Sequence, residues 1–362
     1  MPSVESAALA AAASLAVART LGQPVDVPVL RDARLADREV VDEVVSAAAY
    51  HGVLPLLWTA VQQTEVPGVL REATHDVYLS LVARDLRLAN LAQVVDAALT
   101  SAGVAYAVYK GPAVARYYPR PDLRMFGDVD VLVARHDLAV ADDALRDAGL
   151  RGGWAAVPDD YAETMYVLGS SGTLDLHWHV MREALVRSAF GLDTVSMLAR
   201  SSRLPVFGAT APCLDPVDLF IAVATHACFD GAYRLGWYVD LAVLLRSPDV
   251  SWDEVRSRCA ATRTSLAVQV VVDRTVRTLE IVPPGRALAS GPWRALLSRV
   301  SAARPVERTF RQAGRGGLIF RATRSGSALS YAALGRLAVM EALVPLVRDR
   351  RHRWRTDPSG RM

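Results

Sequence analysis

The stretch from Val104 to Val133, VAYAVYKGPAVARYYPRPDLRMFGDVDVLV, constrains the fold more than any other part of the 362-residue chain. Val104 to Tyr109 has the β-branched and aromatic content of a buried strand, and Gly111 followed by Pro112 marks a turn that also opens a helix. Lys110 therefore stands at a strand-to-helix corner, where unpaired helix N–H groups and an ammonium together make an anion seat. A short helix and a basic loop then lead to a second strand, Asp128 to Val133. Alternation along that strand puts Asp128, Asp130 and Leu132 on one face and Val129, Val131 and Val133 on the other.

Two carboxylates thus project together, with Cα atoms about 7 Å apart. Their mutual repulsion is costly unless cations neutralise it, and hard oxygen donors suit Mg²⁺. Carboxylates at this spacing can hold two ions about 4 Å apart, as phosphoryl-transfer sites do. Taken alone, an Asp-x-Asp equally fits a solvated edge strand. Composition adds weight: of the 41 basic residues Lys110 is the one lysine, and the other 40 are arginines. A compact ammonium and a planar guanidinium are not interchangeable at a tight phosphate site.

The length suggests two domains, and the pattern reads as an N-terminal helical region over 1–102, a small mixed-sheet region over 103–212 and a C-terminal helical domain over 213–362. Hydrophobic residues at 52% and charged residues at 22% are those of a well-cored chain. The net charge of +3 permits a nucleotide or nucleic-acid partner without demanding one. Cys213, Cys228 and Cys259 have no ligand-like spacing, which argues against a disulfide framework or a zinc site and fits a reducing cytoplasm. The Ala-rich segment from Val4 to Leu21 carries Glu5 and no basic start, so it reads as a packing helix rather than a signal peptide, and no membrane span is expected.

Helical patterns cover Asp37 to Ala49, His51 to Gln63 and a long helix from about Val69 to Thr100, with Leu79, Val82, Leu86, Leu91, Val94 and Val95 near helical spacing. His51 and His75 read as structural. After a helix over Asp137 to Asp147, the runs Tyr161 to Leu168 and Thr173 to Val180 flank Gly169-Ser170-Ser171-Gly172, a hairpin signal. In TLDLHWHV, alternation places Asp175, His177 and His179 on one face. If this strand lies beside Asp128 to Val133, Asp175 becomes a third carboxylate aimed at the same metals. The histidines read as metal ligands, bases or surface residues, with direct imidazole ligation of a Mg²⁺-type ion disfavoured. Helices return from Asp215, where His226 and Asp240 on consecutive helices either meet as a buried pair or contact a ligand. The run Arg348 to Arg355 is basic.

The Lys110-Gly111 turn, Tyr117 and Tyr118, Arg124, Asp128-Val129-Asp130, the Leu174-Asp175-Leu176-His177-Trp178 run and the later helices with His226 and Asp240-Leu241 occur in that order. This succession resembles the uncharacterised bacterial nucleotidyltransferase family of the DNA polymerase β-like superfamily, over roughly His51 to Pro283. The resemblance implies an α+β fold: a small mixed-sheet palm flanked by helical blocks. It implies transfer of a nucleoside monophosphate from a nucleoside triphosphate such as ATP to an acceptor hydroxyl, with two Mg²⁺ on Asp128, Asp130 and Asp175. Asp175 would also serve the acceptor hydroxyl as base or as part of the metal-activated path. Lys110 and Gly111 stand where other superfamily members carry Gly-Ser, which moves phosphate binding onto the lysine and backbone amides. Arg124 would reach the triphosphate, and His177 is a candidate neighbour of the nucleotide. Arg116 and Arg120 are further candidates.

A small molecule or modified peptide is the expected acceptor. The alternatives are a toxin-type enzyme acting on tRNA or protein, slightly favoured by the basic tail, and a non-catalytic nucleotide-binding regulatory module.

Overall fold

A computed structural model describes residues 4–153, 161–182, 184–187, 189–206, 208–229 and 234–302 of the chain. The basic run from Arg348 to Arg355 lies outside them. Four helices lead in: α1 (Val4–Arg19), α2 (Arg38–Tyr50), α3 (Leu54–Gln63) and α4 (Gly68–Ser101). Asp37 caps α2 by accepting from the Glu39 backbone N–H, and Pro55 occupies the first turn of α3, where its missing N–H costs nothing.

The helix α4 buries Leu70, Thr74, Leu88, Leu91, Val95 and Leu99, a stripe at three- and four-residue spacing that Val77 and Leu81 extend. This differs from the expected stripe. Leu79 and Leu86 are 51% and 70% exposed, because α4 is apolar on more than one side and the sheet accepts only the side that carries Leu88. One position on the buried stripe, between Leu81 and Leu88, is Arg84.

Seven strands follow: β1 (Tyr106–Val108), β2 (Asp128–Val133), β3 (Arg151–Gly152), β4 (Glu163–Val167), β5 (Thr173–His177), β6 (Ser202–Val206) and β7 (Ala209–Cys213). They form one mixed sheet in the order β3-β4-β5-β2-β1-β7-β6. β2 lies at the centre, antiparallel to β1 and parallel to β5, and β4 and β5 form the expected antiparallel hairpin. The β6–β7 hairpin escapes sequence patterning because SRLPV and ATAPC lack clean alternation and carry Pro205 and Pro212, which weaken a strand signal.

The helices α5 (Gly111–Ala115), α6 (Leu138–Asp147), α7 (Ala184–Arg187) and α8 (Thr194–Ala199) connect the strands. The chain then runs through α9 (Pro216–Phe229), α10 (Leu235–Arg246), α11 (Trp252–Ala261), α12 (Ser265–Leu279) and α13 (Pro292–Ala302). A single buried cluster extends from Leu9 through the sheet to Leu279, and α1 touches α10 and α12 directly. The fold class is therefore the expected α+β. No described helix is long and apolar enough to cross a membrane.

The approach of α4 to β5 rests on Gly172, whose φ of +127° suits glycine and whose absent Cβ would lie 2.6 Å from Leu88 Cδ2. Gly172→Ala should lower the unfolding free energy by about 1–3 kcal/mol, through strain and overpacking together. Urea unfolding checks this as a lowered midpoint at constant slope; an unchanged midpoint would mean that α4 yields to the added methyl.

Candidate active site

Parallel pairing of β2 with β5 sets Asp130 beside Asp175 in register. Neighbouring residues of a ladder project to the same face, so the two acids share one surface, with Asp128 two residues along. The β4–β5 hairpin adds Glu163, which lies opposite His177 in register. Asp128, Asp130, Glu163 and Asp175 all line a cavity of about 430 Å³. Carboxylate oxygens of Asp130 and Asp175 and a ring nitrogen of His177 fall within 4.8 Å of one another.

Asp130 is the best-supported member. Lys110 Nζ donates to its Oδ1 at 2.8 Å, and His177 Nε2 lies 3.1 Å from the same oxygen. His177 is buried, with Tyr109 edge-on to its ring at a centroid distance of 5.1 Å and Glu163 Oε2 at 3.4 Å from Nδ1. Arg182 Nε approaches the same Glu163 oxygen at 3.5 Å. The ammonium beside Asp130 and the hydrogen bond to His177 hold its carboxyl below the usual range despite burial. Asp128 and Asp175 lack such support: no described residue donates a hydrogen bond to either. Burial first, then repulsion from neighbouring acids, pushes Asp128 up to about 6 and Asp175 up to about 7.

Lys110 reaches Asp130 from a left-handed backbone, φ +58°, unusual for a side-chain-bearing residue and costly by about 1–3 kcal/mol. The strain is locked in by Tyr109 N–H donating to the Asp130 carbonyl and Val114 N–H donating to the Lys110 carbonyl. Gly111 has φ +22°, and a Cβ there would sit 3.6 Å from the Asp128 carbonyl, so conformation rather than space calls for glycine. The helix it opens, α5, is five residues long. A helix this short supplies little dipole, leaving Lys110 as the main positive group at this corner.

Arg124 lines the same cavity but is already engaged. Its Nε and Nη2 donate to the two Asp240 oxygens at 2.9 Å each, and Tyr118 Oη donates to Asp240 Oδ1 at 2.7 Å. Asp240 thus meets the loop before β2 rather than His226. His226 lines the cavity beside Trp237, ring centroids 5.7 Å apart, and burial drives its pKa well down. His51, read as structural, also forms part of the wall. His179 turns away: β5 stops at His177, and His179 Nδ1 accepts from Met181 N–H while Nε2 meets the Leu192 carbonyl. Arg120 pairs with Asp122 and Arg116 lies over the Tyr117 ring; neither lines the cavity.

Sequence reasoning missed Glu163, Arg182 and Arg84. Glu163 follows from the register opposite His177 once the hairpin is known, and Arg84 is signalled by a charge within a buried helical stripe. The cavity lining holds the acids Asp128, Asp130, Glu163, Asp175 and Asp240 and the cations Arg84, Lys110, Arg124, Arg182 and Arg234, so with neutral histidines and every acid ionised it carries no net charge. Its oxygen-rich donor set fits a hard divalent cation, because Asp128 and Asp175 lack hydrogen-bond donors and repel Asp130. His177, with Nε2 on Asp130, serves better as a holder of that carboxylate than as a ligand.

An acid whose pKa is raised by folding costs stability from the pH where the unfolded chain ionises up to the pH where the native carboxyl does. In metal-free buffer the wild type should therefore lose stability relative to Asp175→Asn between about pH 4 and pH 7, where the unfolded carboxyl has ionised and the native one still holds its proton, and the gap should level off above. The buried histidines, shifted down, change stability in the opposite direction but in both proteins alike. Thermal unfolding across this range reads the widening gap in Tm, and a pH-independent gap would mean that Asp175 does not ionise against its neighbours.

The family whose model is described as uncharacterised nucleotidyltransferase matches residues 37–279. No curated protein matches the chain. Among solved structures, that of the antibiotic-resistance factor ANT(2'')-Ia is 14% identical, with 48% of this chain and 93% of that one covered at a TM-score of 0.32. An antigenic nucleotidyltransferase-like protein from Paracoccidioides brasiliensis is 15% identical, with 54% and 92% covered and a TM-score of 0.32. The matched span runs from α2 to the end of α12 and includes every residue of the cavity, and the chain accordingly belongs to the uncharacterised nucleotidyltransferase family.

Proposed function

We propose that this nucleotidyltransferase moves a nucleoside monophosphate from a nucleoside triphosphate to a hydroxyl of a small molecule or modified peptide. The observation that carries the reading is the alignment of Asp128, Asp130 and Asp175 on adjacent parallel strands, lining a cavity that also holds Lys110 and four arginines. In the reaction the bond between the α-phosphorus and the bridging oxygen breaks, the acceptor oxygen bonds to phosphorus, pyrophosphate leaves and the hydroxyl proton is given up.

Asp128, Asp130 and Asp175 are the residues that would hold Mg²⁺, which when bound neutralises triphosphate charge and acidifies the acceptor hydroxyl. Asp130 is oriented by Lys110 and His177, so its position is set before substrate arrives. Lys110, 14% exposed at the cavity, offers its ammonium to phosphate oxygens as well as to Asp130. Asp175, raised to about 7 in the ligand-free site, is once ionised a stronger base than an ordinary carboxylate and so is suited to taking the acceptor proton. Arg124, fixed by Asp240, shapes the wall and contributes its field rather than a mobile contact. A cavity of about 430 Å³ lies within the range of small-molecule sites, which favours a small acceptor group. Trp237 and His226, edge to face in the same wall, suit a planar base or acceptor ring.

Incubating the full chain with each labelled nucleoside triphosphate and Mg²⁺ should identify a preferred nucleotide. Asp128→Asn combined with Asp130→Asn should abolish the Mg²⁺-dependent part of the nucleotide-induced thermal shift and reduce transfer by about 10²–10³-fold or more. A double variant that responds to Mg²⁺ and nucleotide as the wild type does would remove these carboxylates from the metal site.

A further inference from the structure

Three cations of the cavity wall have carboxylate partners: Lys110 on Asp130, Arg124 on Asp240 and Arg182 on Glu163. Arg84 is placed differently. Its Nε and Nη2 are buried with no hydrogen-bond partner, and the carboxylate of Asp85 lies 3.8 Å away, beyond hydrogen-bonding reach. Leaving buried guanidinium donors unsatisfied is expensive, so the group calls for a partner from outside the chain, an ordered water or a ligand.

The position is built rather than incidental. Arg84 occupies the buried stripe of α4, where its neighbours one turn either side, Leu81 and Leu88, pack against the core. Leu88 is seated on Gly172 at the start of β5, the strand that carries Asp175. The side chain four residues earlier on the same helical face is thereby directed to the cavity that Asp128 and Asp175 line. Asp128 is near enough for its charge to act on the guanidinium.

We propose that Arg84 is the principal triphosphate-binding residue of this site, its guanidinium turning toward the cavity to donate to β- or γ-phosphate oxygens of the nucleotide. The inference rests on the nucleotidyltransferase reading above. A triphosphate brings about four negative charges, more than Lys110 alone can meet while it also holds Asp130. A planar fork aimed at phosphate binds two oxygens at once, and Arg84 retains that capacity whereas Arg124 has spent it on Asp240.

The test compares wild type, Arg84→Gln and Arg84→Lys as full chains, by calorimetric titration in Mg²⁺ with the preferred nucleoside triphosphate, with inorganic pyrophosphate and with the corresponding nucleoside. Arg84→Gln should weaken triphosphate and pyrophosphate binding about 10- to 100-fold, the value of a charged hydrogen bond. Nucleoside binding should stay within about twofold. Arg84→Lys, which keeps the charge and loses the fork, should fall between wild type and Arg84→Gln and covers the case in which the glutamine variant does not fold.

Triphosphate affinity unchanged in either variant overturns the assignment. So does an equal loss for nucleoside and triphosphate, which is the mark of a structural role. A wild type that binds no triphosphate or pyrophosphate overturns the parent reading instead, and with it this one.

Discussion

Like charges brought to adjacent positions of a parallel ladder are the constraint on which the rest of this structure depends. Asp130 and Asp175 cannot avoid each other once β2 and β5 pair in this register, and Asp128 adds a third charge on the same face. The fold answers unevenly. Asp130 receives an ammonium and an imidazole, whereas Asp128 and Asp175 are left to hold protons that an ordinary carboxyl would have lost. A site kept in that condition gains most from a multivalent cation, which converts the repulsion into coordination. The strained turn at Lys110 belongs to the same economy, since its left-handed backbone brings the ammonium to the one acid that must stay ionised.

The C-terminal helices are tied into the site by Asp240. From α10 it accepts from Arg124 and Tyr118, so the loop before β2 and the helical block share one buried polar joint. Removing one partner of such a pair leaves the other charge buried, commonly at about 3–5 kcal/mol, so the joint resists substitution one residue at a time. Trp237 and His226 line the cavity from the same block, so the sheet strands and these helices form a single cavity.

Much of the arrangement could be read from the chain. Alternation in DVDVLV and TLDLHWHV assigned the acids to their faces, and the hairpin signal at Gly169 to Gly172 correctly paired β4 with β5. What local patterns lack is the identity of partners distant in sequence. Arg124 reads as a free phosphate ligand because Asp240 is 116 residues away, and alternation places His179 on one face with His177 because nothing local says where a strand ends. The stripe of α4 was misread for a related reason. A helix apolar on several sides does not announce which side the sheet will take, and so Arg84 does not stand out from the chain's other arginines. The β6–β7 hairpin was lost to its prolines.

The solitary lysine has a practical corollary. Apart from the chain's own terminus, an amine-directed acylating reagent finds one side chain to attack, and that side chain is partly exposed on the cavity wall. Its acylation would remove a charge where phosphate is expected to lie, and any occupant of the cavity would shield it. The molecule thus carries a built-in chemical reporter, by which protection from a single modification event reads out occupancy without any engineered label.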